Sequence, residues 1–164
     1  MAGTVRDDPG VGTCAAAIRS ILDALPEGSY TLEEEIVRPR NKRGKPADEL
    51  LTMTITPTRT AAAAIVVLLP VGGDAYLLTG SGERQSRFEF LRAELPLGDT
   101  LAAMVEAVVA GRIEDDVTFG RDGRVIRQRT VIELADGTEM PVTAGHQVLG
   151  LRKRREQLPY RPYA

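Results

Sequence analysis

Apolar residues recur at Ile18, Ile21, Leu22 and Leu25, the i, i+3, i+4, i+7 spacing of a single helical face. The spacing predicts a helix from about Thr13, whose hydroxyl suits an N-cap, to Leu25, with Pro26 and Gly28 ending it. From Tyr30 the period changes to 2. Tyr30, Leu32 and Ile36 alternate with Thr31, Glu33, Glu35 and Val37, which suits a strand with one wet face; Glu34 alone breaks the pattern. Leu51, Met53 and Ile55 alternate with Thr52, Thr54 and Thr56 in a second strand, closed by Pro57. Ala61 to Leu69 is continuously apolar. Its β-branched Ile65, Val66 and Val67, and the Pro70, Gly72 and Gly73 that follow, favour a buried strand over a short helix. Gly72-Gly73-Asp74 reads as a hairpin turn into Ala75 to Thr79, and Gly80-Ser81-Gly82 as the next turn, before a strand over Arg87 to Leu95 with Phe88 and Phe90 on one face.

A second helix is predicted by Leu101, Met104, Val105 and Val108, with Asp99 as its cap and Gly111 as a left-handed stop. Two hairpins follow, turning at Arg121-Asp122-Gly123 and at Asp136-Gly137. The order is helix, five strands, helix, three strands, tail. Successive strands joined by tight turns pair antiparallel, because a parallel pair needs a long crossover. The expected fold is therefore α+β in two layers, a mainly antiparallel sheet of about 6–8 strands with two helices on one face. Residues 1–12 read as a flexible arm, 13–150 as a single domain, and 151–164 as a basic tail containing proline and tyrosine.

Composition narrows the chemistry. The chain has 164 residues, 43% hydrophobic and 27% charged, with a formal net charge of −2. A domain of this size holds a core without disulfides or a structural metal, and it is too apolar for wholesale disorder. One cysteine, Cys14, and one histidine, His146, are too few for a zinc site or an intrachain bridge. No serine sits in a Gly-x-Ser-x-Gly elbow, and the paired glycines precede strands, where turn geometry explains them better than a phosphate cradle. Catalytic, cofactor and metal sites are thus all expected to be absent. The opening residues carry no apolar signal region, and the longest apolar run spans 61–69, well short of the ~20 residues that cross a membrane. A cytoplasmic protein is expected. Eighteen arginines against three lysines and no tryptophan fit a GC-rich bacterial genome.

Charged clusters supply the remaining candidates. Glu33 and Glu35 project from one face of their strand and Glu34 from the other, where it is either a strand-end residue reaching water or a partly buried acid with an arginine partner. Glu114-Asp115-Asp116, just after the Gly111 stop, reads as a loop. Arg124, Arg127 and Arg129 lie on a strand pattern; with Arg40, Lys42 and Arg43 in the loop 38–46, and Arg152 and Arg154 near the C-terminus, they could contact phosphates if the chain folds them together. The segment Leu158-Pro-Tyr-Arg-Pro-Tyr-Ala164 is extended and aromatic. Tyr160, Arg161 and Tyr163 could anchor it on another chain, or it could fold back on its own domain.

Two functions are carried forward, with an enzyme working through carboxylates as a third that a deep pocket lined by Glu33, Glu35 or Asp116 would favour. The first is a non-enzymatic protein-binding module, adaptor-like, chaperone-like or immunity-like, acting through its sheet surface and tail on another protein or on a second copy as a homodimer. The alternative is a nucleic-acid-binding accessory domain that uses the arginine strand and basic loops.

Overall fold

The computed structural model describes residues 3–40, 44–81, 84–90, 97–145 and 154–164, with the backbone alone at 97 and 98. A 3-10 turn at Val5–Asp7 precedes helix α1 (Pro9–Asp23). Strands β1 (Tyr30–Val37), β2 (Leu50–Pro57), β3 (Ala64–Pro70), β4 (Ala75–Ser81) and β5 (Arg84–Phe90) follow, then helix α2 (Leu97–Val109). The chain continues as β6 (Ile113–Phe119), β7 (Val125–Glu133), β8 (Glu139–Gly145) and β9 (Arg154–Pro159). The fold is α+β, with every strand pair antiparallel. Its nine described strands divide into two sheets: a five-stranded meander β1-β2-β3-β4-β5, and a four-stranded sheet ordered β8-β7-β6-β9.

The helix start differs from the expected Thr13. Asp8 has extended backbone, its carboxylate accepts from the N–H groups of Gly10 and Val11 at 2.9 and 3.3 Å, and Pro9 occupies the first helical position. That cap and proline set the N-terminus despite Gly10 and Gly12, and they bring Val11 and Cys14 into the core. The strand β3 starts at Ala64 because Ala61 turns the chain with φ +67°, a left-handed conformation that costs a non-glycine residue about 1–2 kcal/mol. Residues 91–96, which hold the end of the strand expected over Arg87 to Leu95, lie outside the described residues.

A single cluster of buried side chains joins the layers. It takes in Val11, Cys14, Ile18 and Leu22 of α1, Met53 and Ile55 of β2, Ile65 and Val67 of β3, Leu77 of β4, Phe88 of β5, and Leu101, Met104 and Val105 of α2. Both helices therefore cover the same face of the five-stranded sheet, and Ile113 and Ile132 carry the core into the second sheet.

The C-terminal segment completes that core. The stretch expected as an edge segment plus an extended tail includes the edge strand β9, which pairs with β6 from Glu114↔Pro159 to Phe119↔Arg154. Beyond it, the Arg161 N–H donates to the Ala61 carbonyl and the Tyr163 N–H to that of Val109, both at 2.9 Å. These bonds explain why the tail is ordered and why Ala61 holds its strained turn. Gly111 has φ +74°, and a Cβ there would stand 2.7 Å from the Pro162 nitrogen, so the tail crosses the helix stop where only glycine fits.

Candidate functional site

Three arrangements carry polar or apolar groups that the core does not account for. The first is the outer face of the five-stranded sheet, opposite the helices. Register alone places Glu33, Thr54, Val66, Leu78 and Arg87 in one cross-strand row, and Glu35, Thr52, Leu68, Tyr76 and Glu89 in the next. Val66, Leu68, Tyr76 and Leu78 are half-buried by their neighbours and stand outside the core cluster. The Arg87 guanidinium lies over the Tyr76 ring, 4.0 Å from its centroid, and the Tyr76 hydroxyl donates to Glu89 at 3.1 Å. The face thus has an aliphatic centre with an arginine–tyrosine stack beside it and acids along β1.

The pleat separates the three glutamates of β1 as the sequence pattern requires. Glu33 and Glu35 are exposed on the outer face, while Glu34 meets α1, where Arg19 grips it through Nε at 2.7 Å and Nη2 at 2.8 Å. Glu34 has the arginine partner of one reading and the access to water of the other, since the residue is exposed rather than partly buried. The hydrogen-bonded Arg19 guanidinium holds its carboxyl below the usual glutamate range, against a smaller opposing effect of burial.

The second arrangement is the outer face of the four-stranded sheet. Glu114-Asp115-Asp116, expected in a loop, forms part of strand β6 because Ile113, Asp115 and Val117 alternate inward as a buried row. Asp116 faces out, opposite Arg129 on β7 and Gln157 on β9. Arg155 binds it through both Nε, at 2.7 Å, and Nη2. Its carboxyl is held below the ordinary aspartate range, chiefly by the Arg155 hydrogen bonds, with Arg127 and Arg129 adding through space.

Of the arginines singled out in the sequence, Arg127 and Arg129 therefore share a face, and Arg155 joins them. Arg124 lies in the preceding turn with Asp122 at 3.6 Å. Arg154 covers the Phe119 ring at 4.9 Å and pairs with Glu156. Arg40 lies apart, at an isolated bridge with Pro46. Lys42, Arg43, Arg152 and His146 fall outside the described residues.

The third arrangement is internal. Asp115 is fully buried and accepts from the Thr130 hydroxyl at 2.5 Å, the Tyr160 hydroxyl at 2.7 Å and Gln128 Nε2 at 3.2 Å. Ser86, on the other sheet, lies 2.5 Å from the Thr130 hydroxyl and accepts from Gln128 at 3.2 Å. Five side chains from β5, β6, β7 and the tail thus form a polar cluster between the sheets. Its carboxylate is engaged by three donors, which is what a buried charge requires. Desolvation, then the bond to Asp115, pushes the Tyr160 phenol well above the ordinary tyrosine range. A cavity of about 590 Å³, lined by Arg84, Gly123, Arg124, Val125 and Gln128, opens beside the cluster.

Sequence reasoning missed this cluster. Its signal was present: Asp115 stands between Ile113 and Val117, and Gln128 and Thr130 precede Ile132, all at core-facing positions. The tail residues fall within their own fold. Tyr160 is buried against Asp115, and Tyr163 is buried with its hydroxyl donating to the Ala63 carbonyl at 2.6 Å, whereas the Arg161 side chain is exposed.

Among the described residues no group of three or more His, Cys, Asp or Glu could hold a metal ion, and no helix is long and apolar enough to cross a membrane. Neither the 590 Å³ cavity nor a second of about 500 Å³, between the C-terminal ends of α1 and α2, is lined by Glu33, Glu35 or Asp116. No family model, curated protein or solved structure matches this chain.

Proposed function

We propose that this chain is a non-enzymatic cytoplasmic protein-binding module whose contact surface is the outer face of the five-stranded sheet. The observation that carries the reading is the Tyr76–Arg87 stack beside Leu68 and Leu78, on a face whose apolar residues lie outside the core. Tyrosine and arginine are the side chains most enriched at binding hot spots, and apolar neighbours exclude water around them. The principal acids already have structural partners: Glu34 with Arg19, Asp116 with Arg155, and Asp115 within its cluster. That use of charge favours recognition over bond-making. With Tyr160 and Tyr163 packed inside, the sheet rather than the tail presents the anchors. Leu68→Asp and Leu78→Asp each place a charge at the centre of the face without touching the core. Affinity capture with these variants should lose the partner retained by the parent chain, and equal capture would refute the reading.

A second reading has its own observation. Arg127, Arg129 and Arg155 surround Asp116, a local excess of positive charge at one end of the outer face of the other sheet, whose opposite end carries Glu114, Glu133 and Glu139. Nucleic acid bound there would be released steeply by salt, and Arg127→Glu with Arg129→Glu would abolish retardation. Absence of retardation at low salt would remove this reading.

A further inference from the structure

The edge of the five-stranded sheet identifies the kind of partner segment the module takes; this inference rests on the protein-binding reading above. Among the described residues, strand β1 is hydrogen-bonded to β2 alone, in an uninterrupted register from Tyr30↔Pro57 to Val37↔Leu50. Among the described residues, no backbone bond outside that ladder uses positions 30–37. Alternate N–H and C=O groups of an eight-residue strand therefore face outward, a template for one more strand. Edge strand β9 of the second sheet differs: it is shorter, begins with Arg154 and Arg155 and ends in Pro159, features that blunt an edge. No proline or bulge interrupts β1.

The side chains of β1 define what can pair with it. Glu33 and Glu35 are exposed on the outer face, and Ile36 on the opposite face is 51% exposed, an unusual position for a large apolar residue. Two copies pairing symmetrically and antiparallel about any centre from 33 to 35 would set carboxylate against carboxylate on the outer face. Such a pairing is disfavoured by its own charge. An incoming strand with lysine or arginine at alternate positions would instead put cations against Glu33 and Glu35, while its intervening residues could cover Ile36.

We propose that β1 is a β-augmentation site for an extended cationic segment of a partner protein, with basic side chains at i and i+2 and apolar ones between. The carboxylates that reject a second copy select this occupant, and the backbone supplies the hydrogen bonds.

The test uses the full chain and fluorescein-labelled Ser-Lys-Val-Lys-Val-Lys-Ser, its glutamate counterpart, and two N-methylated forms of the lysine peptide, one blocked at odd and one at even positions. Fluorescence anisotropy should show saturable binding of the lysine peptide, at least about tenfold tighter than the glutamate peptide, because attractive cross-strand pairs replace repulsive ones. One N-methylated form should bind and the other should not, since only one set of N–H groups faces the edge. Glu33→Lys with Glu35→Lys, both exposed changes, should reverse the charge preference. Absence of saturable binding, equal binding of both methylated forms, or an unreversed preference would each overturn the proposal. Leu68→Asp separates this result from the parent reading: if it abolishes partner capture while the peptide fails to bind, the edge proposal falls and the face reading stands. Peptide binding as predicted with partner capture unaffected by Leu68→Asp supports the edge and rejects the face.

Discussion

Tyr163 measures how much of this fold depends on its last residues. Its side chain is 1% exposed, its hydroxyl donates to the Ala63 carbonyl at 2.6 Å, and its N–H donates to the Val109 carbonyl at 2.9 Å. Tyr163→Phe keeps the ring and removes only the donor to a buried carbonyl, a loss of about 1–3 kcal/mol. Tyr163→Ala removes the ring as well and leaves a cavity, for which aromatic-to-alanine changes in cores cost about 3–5 kcal/mol. Against a total stability of about 5–15 kcal/mol, the second change removes a large share. For a domain of this length it should lower Tm by roughly 6–20 °C, at about 2–4 °C per kcal/mol. Urea unfolding followed by circular dichroism measures both variants, and unchanged m-values would show that the same cooperative unit is unfolding. The parent should be most stable, the phenylalanine variant intermediate and the alanine variant least stable. An alanine variant within about 0.5 kcal/mol of the parent would match an ordinary surface change and refute the packing argument. In that event the tyrosine would be available to a partner.

Three other outcomes follow from the same geometry. Tyr160 and Tyr163 have phenols pushed above their ordinary range, mainly by burial, so their contribution is complete below the unfolded value near pH 10 and declines as pH rises above it, by up to about 1.4 kcal/mol per tyrosine per pH unit. Tyrosinate absorbance from these two should appear only with loss of the circular dichroism signal; ionisation of all four tyrosines in the folded chain would contradict this. Asp115→Ala leaves the Thr130, Tyr160 and Gln128 donors without their acceptor and should cost roughly 3 kcal/mol in urea unfolding, whereas a neutral result would mean the cluster does not tie the sheets together. Gly111→Ala combines a left-handed backbone with a Cβ pressed against Pro162 and should destabilise by about 1–2 kcal/mol or more; a stability gain would disprove the close approach of the tail.

Local periodicity carried most of the fold. The helical face of Ile18 and Leu22, the alternation through Met53 and Ile55, and the tight turn at Asp136-Gly137 each specify an element through nearest neighbours in sequence. Long-range partnership was not legible. Nothing local distinguishes one sheet from two, because that depends on which edges meet after α2 reverses the chain. An edge segment was legible near the C-terminus, but the bounds and partner of β9 were not, because Arg154, Arg155 and Glu156 mask its period of 2 and its order comes from pairing with β6. Glu114-Asp115-Asp116 looked like a loop since an acidic run is ordinarily solvated; only the hydroxyls of Thr130 and Tyr160 make burial of Asp115 tolerable. The placement of Glu33 and Glu35 on one face followed from the pleat alone. The Tyr76–Arg87 stack required the register of β4 on β5, which single-strand patterns do not encode.

The most direct measurement is amide hydrogen exchange on the chain alone and with its captured partner. The account predicts added protection concentrated in β1 to β4, across the strands that carry Glu33, Leu68, Tyr76 and Leu78. Protection confined to β7, β9 and residues 160–164, with β1 to β4 exchanging as before, would contradict it.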